Sequence, residues 1–114
     1  MVQIYHNPRC SKSRQTLDIL KQKGISPDII LYLDEVPTKE ELTSVIKKLN
    51  IPSQDLLRKN EDCYTEFLEE RGLPSYDDAI DWMIECPKLI ERPIVINGDN
   101  AKVGRPPESV LDIL

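Results

Sequence analysis

Ile4-Tyr5-His6-Asn7-Pro8-Arg9-Cys10-Ser11-Lys12-Ser13-Arg14 is the stretch on which the reading of this chain turns. Val2 to Tyr5 is a short apolar run that predicts a strand. Asn7-Pro8 predicts a turn. Leu17 and Leu20 then fall at helical spacing, which predicts a helix from Ser11 to Lys23 closed by Gly24. Cys10 therefore sits where a strand gives way to a helix. The first N–H groups of a helix lack internal partners and carry partial positive charge, which favours a thiolate at that point. Arg9, Lys12 and Arg14 push in the same direction and suit an anionic substrate.

The rest of the chain limits what that cysteine can be. With 114 residues, 39% hydrophobic and 31% charged, the composition predicts one ordinary globular domain. A net charge of −5 excludes a general affinity for nucleic acid or acidic membrane, so the basic cluster around Cys10 is local. The amino terminus begins directly with a strand-like run, and no apolar stretch approaches the roughly 20 residues that span a bilayer. Cys10, Cys63 and Cys86 are odd in number and widely spaced, which predicts free thiols in a reducing cytoplasm. With a single histidine and no CxxC pair, no metal site is predicted.

Outward from the first helix, Ile29 to Leu33 predicts a strand buried on both faces, parallel to the first through a βαβ crossover. Thr38 with Glu41 is a capping box, followed by Leu42, Val45, Ile46 and Leu49. Asn50-Ile51-Pro52 ends that helix, and Ser53 is placed to cap a short piece running to Arg58. Tyr64, Phe67 and Leu68 mark a further helix ending at Gly72. Ser75 with Asp78 caps another, which Pro87 stops. Ile94 to Ile96 then predicts a strand, Asn97-Gly98 a turn, and Ala101 to Val103 its partner. Pro107 and the Val110, Leu111, Leu114 spacing predict a last helix. The order is an α/β, thioredoxin-like plan: a four-stranded mixed sheet, with a helical insertion at about 38–87 between the βαβ unit and a C-terminal hairpin plus helix.

Several chemistries are open to Cys10. A buried, inert thiol is the plain alternative, but the polar neighbours Asn7, Ser11 and Ser13 argue against it. A phosphatase loop needs an arginine six positions on, where Thr16 stands. A local dithiol needs a cysteine at position 13, where Ser13 stands, so Cys10 has no local resolving thiol. His6, just past the strand, reads by itself as a polar residue at a strand end; beside Cys10 it is able to carry charge that favours the thiolate. Arg92 precedes a proline that opens a strand, and Arg105 follows the returning strand. Both loops are expected near the start of the first helix. Arginine suits a tetrahedral oxyanion because its planar fork donates paired hydrogen bonds.

His6 to Arg14 resembles the active-site loop of the glutaredoxin-coupled arsenate reductase family. Ile29 to Leu33, Leu56-Leu57-Arg58-Lys59-Asn60, Ile90 to Val95 and Gly104-Arg105-Pro106-Pro107 resemble its other blocks, in order along nearly the whole chain. Ending at Leu114, the chain is similar to a shorter branch of the family. The resemblance implies Cys10 as nucleophile and Arg58, Arg92 and Arg105 as oxyanion ligands, expected to converge on one site. It implies His6, Ser13 and Arg14 as supporting residues, and Pro93 as a cis-proline opposite the cysteine. It also implies arsenate reduction with glutathione as co-substrate and glutaredoxin as partner, no bound cofactor, and a cytoplasmic setting without nucleic acid or membrane. Cys63 and Cys86 are then dispensable. A sister group of the same fold binds RNA polymerase, often with a CxxC switch, and a general thiol-transfer enzyme is a further alternative. Ser13 and the three arginines favour the reductase.

Overall fold

The computed structural model describes residues 1–114. The chain forms two compact units: Met1–Glu35 with Arg92–Leu114, and Val36–Glu91. The first holds the sheet, built from β1 (Val2–Tyr5), β2 (Asp28–Ile30), β3 (Ile94–Asn97) and β4 (Asn100–Val103) in the order β2-β1-β3-β4. β1 runs parallel to β2 and antiparallel to β3, and β3 and β4 form a hairpin. This is the thioredoxin-like arrangement expected from the order of elements.

Helix α1 (Ser11–Gln22) makes the crossover between the parallel strands. Its C-terminus closes as expected at Gly24, whose φ of +75° lies in the left-handed region. The Ile25 N–H bonds to Leu20 O and the Gly24 N–H to Lys21 O, which satisfies two carbonyls that the helix leaves open. Leu20 packs with Ile4, Val95 and Val110 in the core of this unit, with Leu17 and Ile113 against them. α1 is thereby fixed to the sheet by the apolar spacing that predicted it.

β2 departs from expectation. It is three residues long, an edge strand, and Asp28 and Ile29 are exposed. The apolar run continues past it into a turn, where the Asp34 and Glu35 N–H groups bond to Leu31 O. Tyr32 is buried there, stacked near Tyr5 with ring centroids 6.3 Å apart. Of the run Ile29 to Leu33 only Tyr32 is buried, by the turn, while Ile29 and Leu33 are exposed, so this is not a strand covered on both faces. The hairpin turn is Gly98-Asp99, since Asn97 pairs with Asn100. The final segment, Pro107–Ile113, is 3₁₀ rather than α-helical, and packs on α1 and β4. Its Ser109 hydroxyl donates to Val103 O or Pro106 O, in competition with α-helical bonding.

The second unit carries α2 (Lys39–Leu49), α3 (Asp62–Arg71) and α4 (Tyr76–Glu85). Both predicted capping boxes are present, Thr38 with Glu41 and Ser75 with Asp78. Asn50 ends α2 in the left-handed conformation. Ser53 does not cap the short 3₁₀ turn Ser53–Leu56; its hydroxyl donates to Tyr76 O at 2.7 Å and ties that turn to α4. Trp82 meets Tyr64 and Phe67 edge-on, joining α3 to α4.

Cys63 and Cys86 correct the expectation of three free thiols: they form a disulfide, leaving Cys10 as the one free cysteine. Their Cα atoms are 6.9 Å apart although 23 positions separate them. α3 and α4 are neighbours through Trp82, and the first turn of α3 lies beside Cys86, the residue that follows α4. No helix is long and apolar enough to cross a membrane.

Candidate active site

The loop from His6 to Cys10 is held by its own backbone. The Cys10 N–H bonds to Asn7 O, and the Arg9 N–H to the Asn7 side-chain oxygen, so Asn7 supplies both bonds of the turn around Pro8. Arg14, one turn into α1, donates from Nη1 to Pro8 O at 2.9 Å. Cys10 itself is the N-cap of α1, with extended backbone, and its carbonyl accepts the Arg14 N–H. It is buried at 8% exposure. The predicted strand-to-helix placement of the thiol is therefore what the chain adopts.

Behind the loop, Ser13 is fully buried on α1. Its Oγ lies 2.5 Å from His6 Nδ1 and accepts the Asn7 N–H at 3.0 Å. This small network joins the end of β1, the loop and α1. Burial pushes the His6 imidazole below its usual value of 6.5, with the charges of Lys21 and Arg14 adding to the effect. Both effects disfavour the charged imidazole, against the expectation that His6 carries charge. Nδ1 and the Ser13 hydroxyl share one hydrogen bond, and the same oxygen accepts from the Asn7 N–H. The histidine supports the loop by hydrogen bonding.

Across from Cys10 lies the loop after β4. Arg105 Nη2 is 3.6 Å from Cys10 Sγ, and its Nε donates to Arg92 O at 2.8 Å. The Arg92-Pro93 bond is cis, as the fold led us to expect, and Arg105-Pro106 is also cis. The loops carrying Arg92 and Arg105 are joined again where the Gly104 N–H bonds to Pro93 O. Cys10, the backbone of Arg92 and the guanidinium of Arg105 are thus assembled within one unit.

Arg58 belongs to the helical unit. Its N–H bonds to Leu89 O, beside the bridge between Leu57 and Ile90. Its guanidinium lies 3.3 Å from Glu61 and 3.8 Å from Glu91. Sequence reasoning missed these two carboxylates. Glu61 is three residues on, a spacing that could have signalled the pair; Glu91 is distant in sequence and gave no signal.

The position where a phosphatase loop would need arginine is Thr16, fully buried, its Oγ1 donating to Lys12 O. The site is therefore a single thiol at a helix N-terminus with a cation at hydrogen-bond distance from the sulfur. That combination can hold an oxyanion for attack by sulfur. The ArsC family model matches residues 5–113, a span that holds every one of these residues.

The chain belongs to the ArsC family. Among its relatives, an "Arsenate reductase" of Haemophilus influenzae is 48% identical, over 97% of this chain and 97% of that protein. The "Uncharacterized protein YfgD" of Escherichia coli K12 is 45% identical, over 99% of this chain and 96% of that one. The solved structure of "Arsenate reductase from Vibrio cholerae" superposes with a TM-score of 0.93 at 46% identity, covering 99% and 97% of the two chains. The thioredoxin-like ArsC fold thus extends over the whole chain.

Proposed function

We propose that this chain reduces arsenate to arsenite, with Cys10 as the nucleophile. The observation that carries the reading is the placement of Arg105 Nη2 3.6 Å from Cys10 Sγ, at the start of α1. A cation beside the sulfur favours the thiolate form and compensates the charge of an incoming oxyanion. Two ArsC relatives that bear the name arsenate reductase, each matched over 97% of its length, support the substrate class.

In this mechanism the Cys10 sulfur attacks arsenic, an arsenic–sulfur bond forms, and one arsenate oxygen leaves as water after protonation. Arg105, with Arg92, neutralises the oxyanion as charge builds on its remaining oxygens. Glutathione then attacks the adduct, and glutaredoxin completes the transfer. Over the cycle arsenic gains two electrons from two thiols, which leave joined as a disulfide, and arsenite is released. Ser13 and His6 hold the loop in position throughout. The cytoplasm, which supplies glutathione as the external thiol, is the setting that suits this chemistry.

The test is arsenate-dependent oxidation of NADPH in the presence of glutathione, glutathione reductase and glutaredoxin. Turnover that requires arsenate, glutathione and Cys10 supports the reading. A folded protein with no arsenate turnover, in that mixture or with thioredoxin in place of glutaredoxin, overturns it.

A further inference from the structure

Gly104 is the residue before Arg105, and its backbone does not lie in the left-handed region, unlike Gly24, Gly72 and Gly98. Conformation therefore gives no reason for glycine at this position. Space does. A Cβ at Gly104 would stand 2.8 Å from Pro93 Cγ and 3.2 Å from Thr16 Cγ2, and in outright collision with Thr16 Oγ1. Real Cβ atoms do not approach so closely, so something would have to move.

The two walls differ in how far they can yield. A proline Cγ shifts by a few tenths of an ångström with ring pucker. Thr16 is β-branched and stiff at χ1. It is also fully buried, with its hydroxyl anchored to Lys12 O at 2.8 Å. Turning it aside would break that bond inside the packed seam. Thr16 stands on α1, the helix that Cys10 caps. Gly104 is also anchored on its other side, through its N–H to Pro93 O at 2.9 Å. The helix of Cys10 and the loop of Arg105 thus approach closely where the bare Cα of Gly104 lies against the side chain of Thr16.

We infer that Gly104 and Thr16 are positioning residues, whose direct contact sets the distance between the Arg105 guanidinium and the Cys10 sulfur. The inference rests on the proposed use of Cys10 and Arg105 for an oxyanion. Neither residue touches the reacting atoms. A methyl group at position 104 pushes the loop away from α1, and a displacement on the order of 1 Å is enough to weaken a positioned charge substantially.

The experiment measures alkylation of Cys10 by iodoacetamide at pH 7, alone and with increasing phosphate or arsenate. It uses the full chain with Gly104→Ala, Gly104→Ala/Thr16→Ala, Arg105→Ala and Gly104→Ala/Arg105→Ala. Gly104→Ala should raise the anion concentration that half-protects Cys10 by about ten-fold. Removing the Thr16 wall should recover most of that loss, and it keeps a folded protein to measure should Gly104→Ala alone fold poorly. In the Arg105→Ala background, Gly104→Ala should add nothing, because it acts through Arg105. A merely structural glycine would add its effect in either background.

Unchanged protection in Gly104→Ala overturns the inference. So does a loss that Thr16→Ala leaves untouched, or one that persists in full without Arg105. If neither anion protects the wild-type protein, the oxyanion reading itself falls. The alkylation rates without anion then still report whether Gly104 acts through Arg105.

Discussion

Arg105 reaches the sulfur of Cys10 from 95 positions along the chain, with Nη2 at 3.6 Å and Nε tied to Arg92 O. One guanidinium thus serves two purposes. Its Nε fixes the loop to the backbone ahead of cis-Pro93, and its Nη2 faces the thiol. The bond to the carbonyl limits the directions in which the side chain can swing, so the charge at the sulfur is held in place before any substrate arrives.

Replacing Arg105 should therefore affect both purposes. Arg105→Ala should lower arsenate kcat/KM by about 10²–10³-fold, the scale seen when a preorganised oxyanion donor is removed. Arg105→Lys keeps the charge without the planar fork and should recover only part of that loss. Steady-state kinetics of the two variants in the coupled assay would check this, and wild-type rates in Arg105→Ala would remove it from the site.

Ser13 offers a test of the loop's hydrogen bonding. Ser13→Ala leaves the buried His6 Nδ1 and the Asn7 N–H without their shared partner. Losing such a partner costs about 1–3 kcal/mol. Urea denaturation should show a loss of that size, together with slower alkylation of Cys10 as the loop loosens. Ser13→Cys would restore a weak partner and create a local dithiol, so the two substitutions should differ in stability.

His6 predicts a pH dependence of stability. Its folded-state value is lowered below 6.5, chiefly by burial. As pH falls through 6.5 the unfolded chain takes up a proton that the folded chain resists. The contribution to stability is therefore complete above that pH and declines below it, until the folded imidazole also protonates. Urea midpoints between pH 8 and pH 5 should fall on the acid side in the wild type. His6→Asn has nothing to titrate there and should show a flatter profile. Parallel profiles would assign the slope to other groups.

The disulfide predicts which thiols can be labelled. Untreated protein should take up one iodoacetamide, at Cys10, and reduced and denatured protein should take up three. A link across 23 positions removes chain entropy from the unfolded state, worth roughly 3 kcal/mol in the loop-closure model. Cys63→Ser with Cys86→Ser should lower stability by about 2–4 kcal/mol. Glutathione-dependent turnover should survive, since Cys10 keeps its own helix cap and its arginine. Loss of turnover in a folded double variant would point to an electron relay through this pair.

What could be read in the sequence was what is local. Thr38 with Glu41 and Ser75 with Asp78 cap their helices within one turn, and Gly24 closes α1 in the same way. Cys10 was legible because a strand pattern stops and a helix pattern starts within a few residues of it. The strand pattern at Ile29 to Leu33 runs past the end of β2 because an apolar run reads alike in a strand and in a turn that buries one side chain, here Tyr32. The C-terminal segment was expected to be α-helical because side-chain spacing barely distinguishes α from 3₁₀ over seven residues. The Cys63–Cys86 link, the carboxylate of Glu91 beside Arg58 and the contact of Gly104 with Thr16 join positions far apart in sequence. No local pattern announces such pairs. His6 was legible as a member of the site, but not its charge, because burial decides that and burial belongs to the fold.

The β3–β4 hairpin has one practical consequence. Ile94 pairs with Val103 at the end beside Pro93 and Gly104, whereas Gly98 and Asp99 form the exposed tip at the other end. Four-residue strands put about 10 Å of ladder between the two ends. Asp99 is thus a natural place to graft a handle, such as a fluorophore, a surface tether or an inserted reporter. A device anchored there could read the state of Cys10 without standing in front of it.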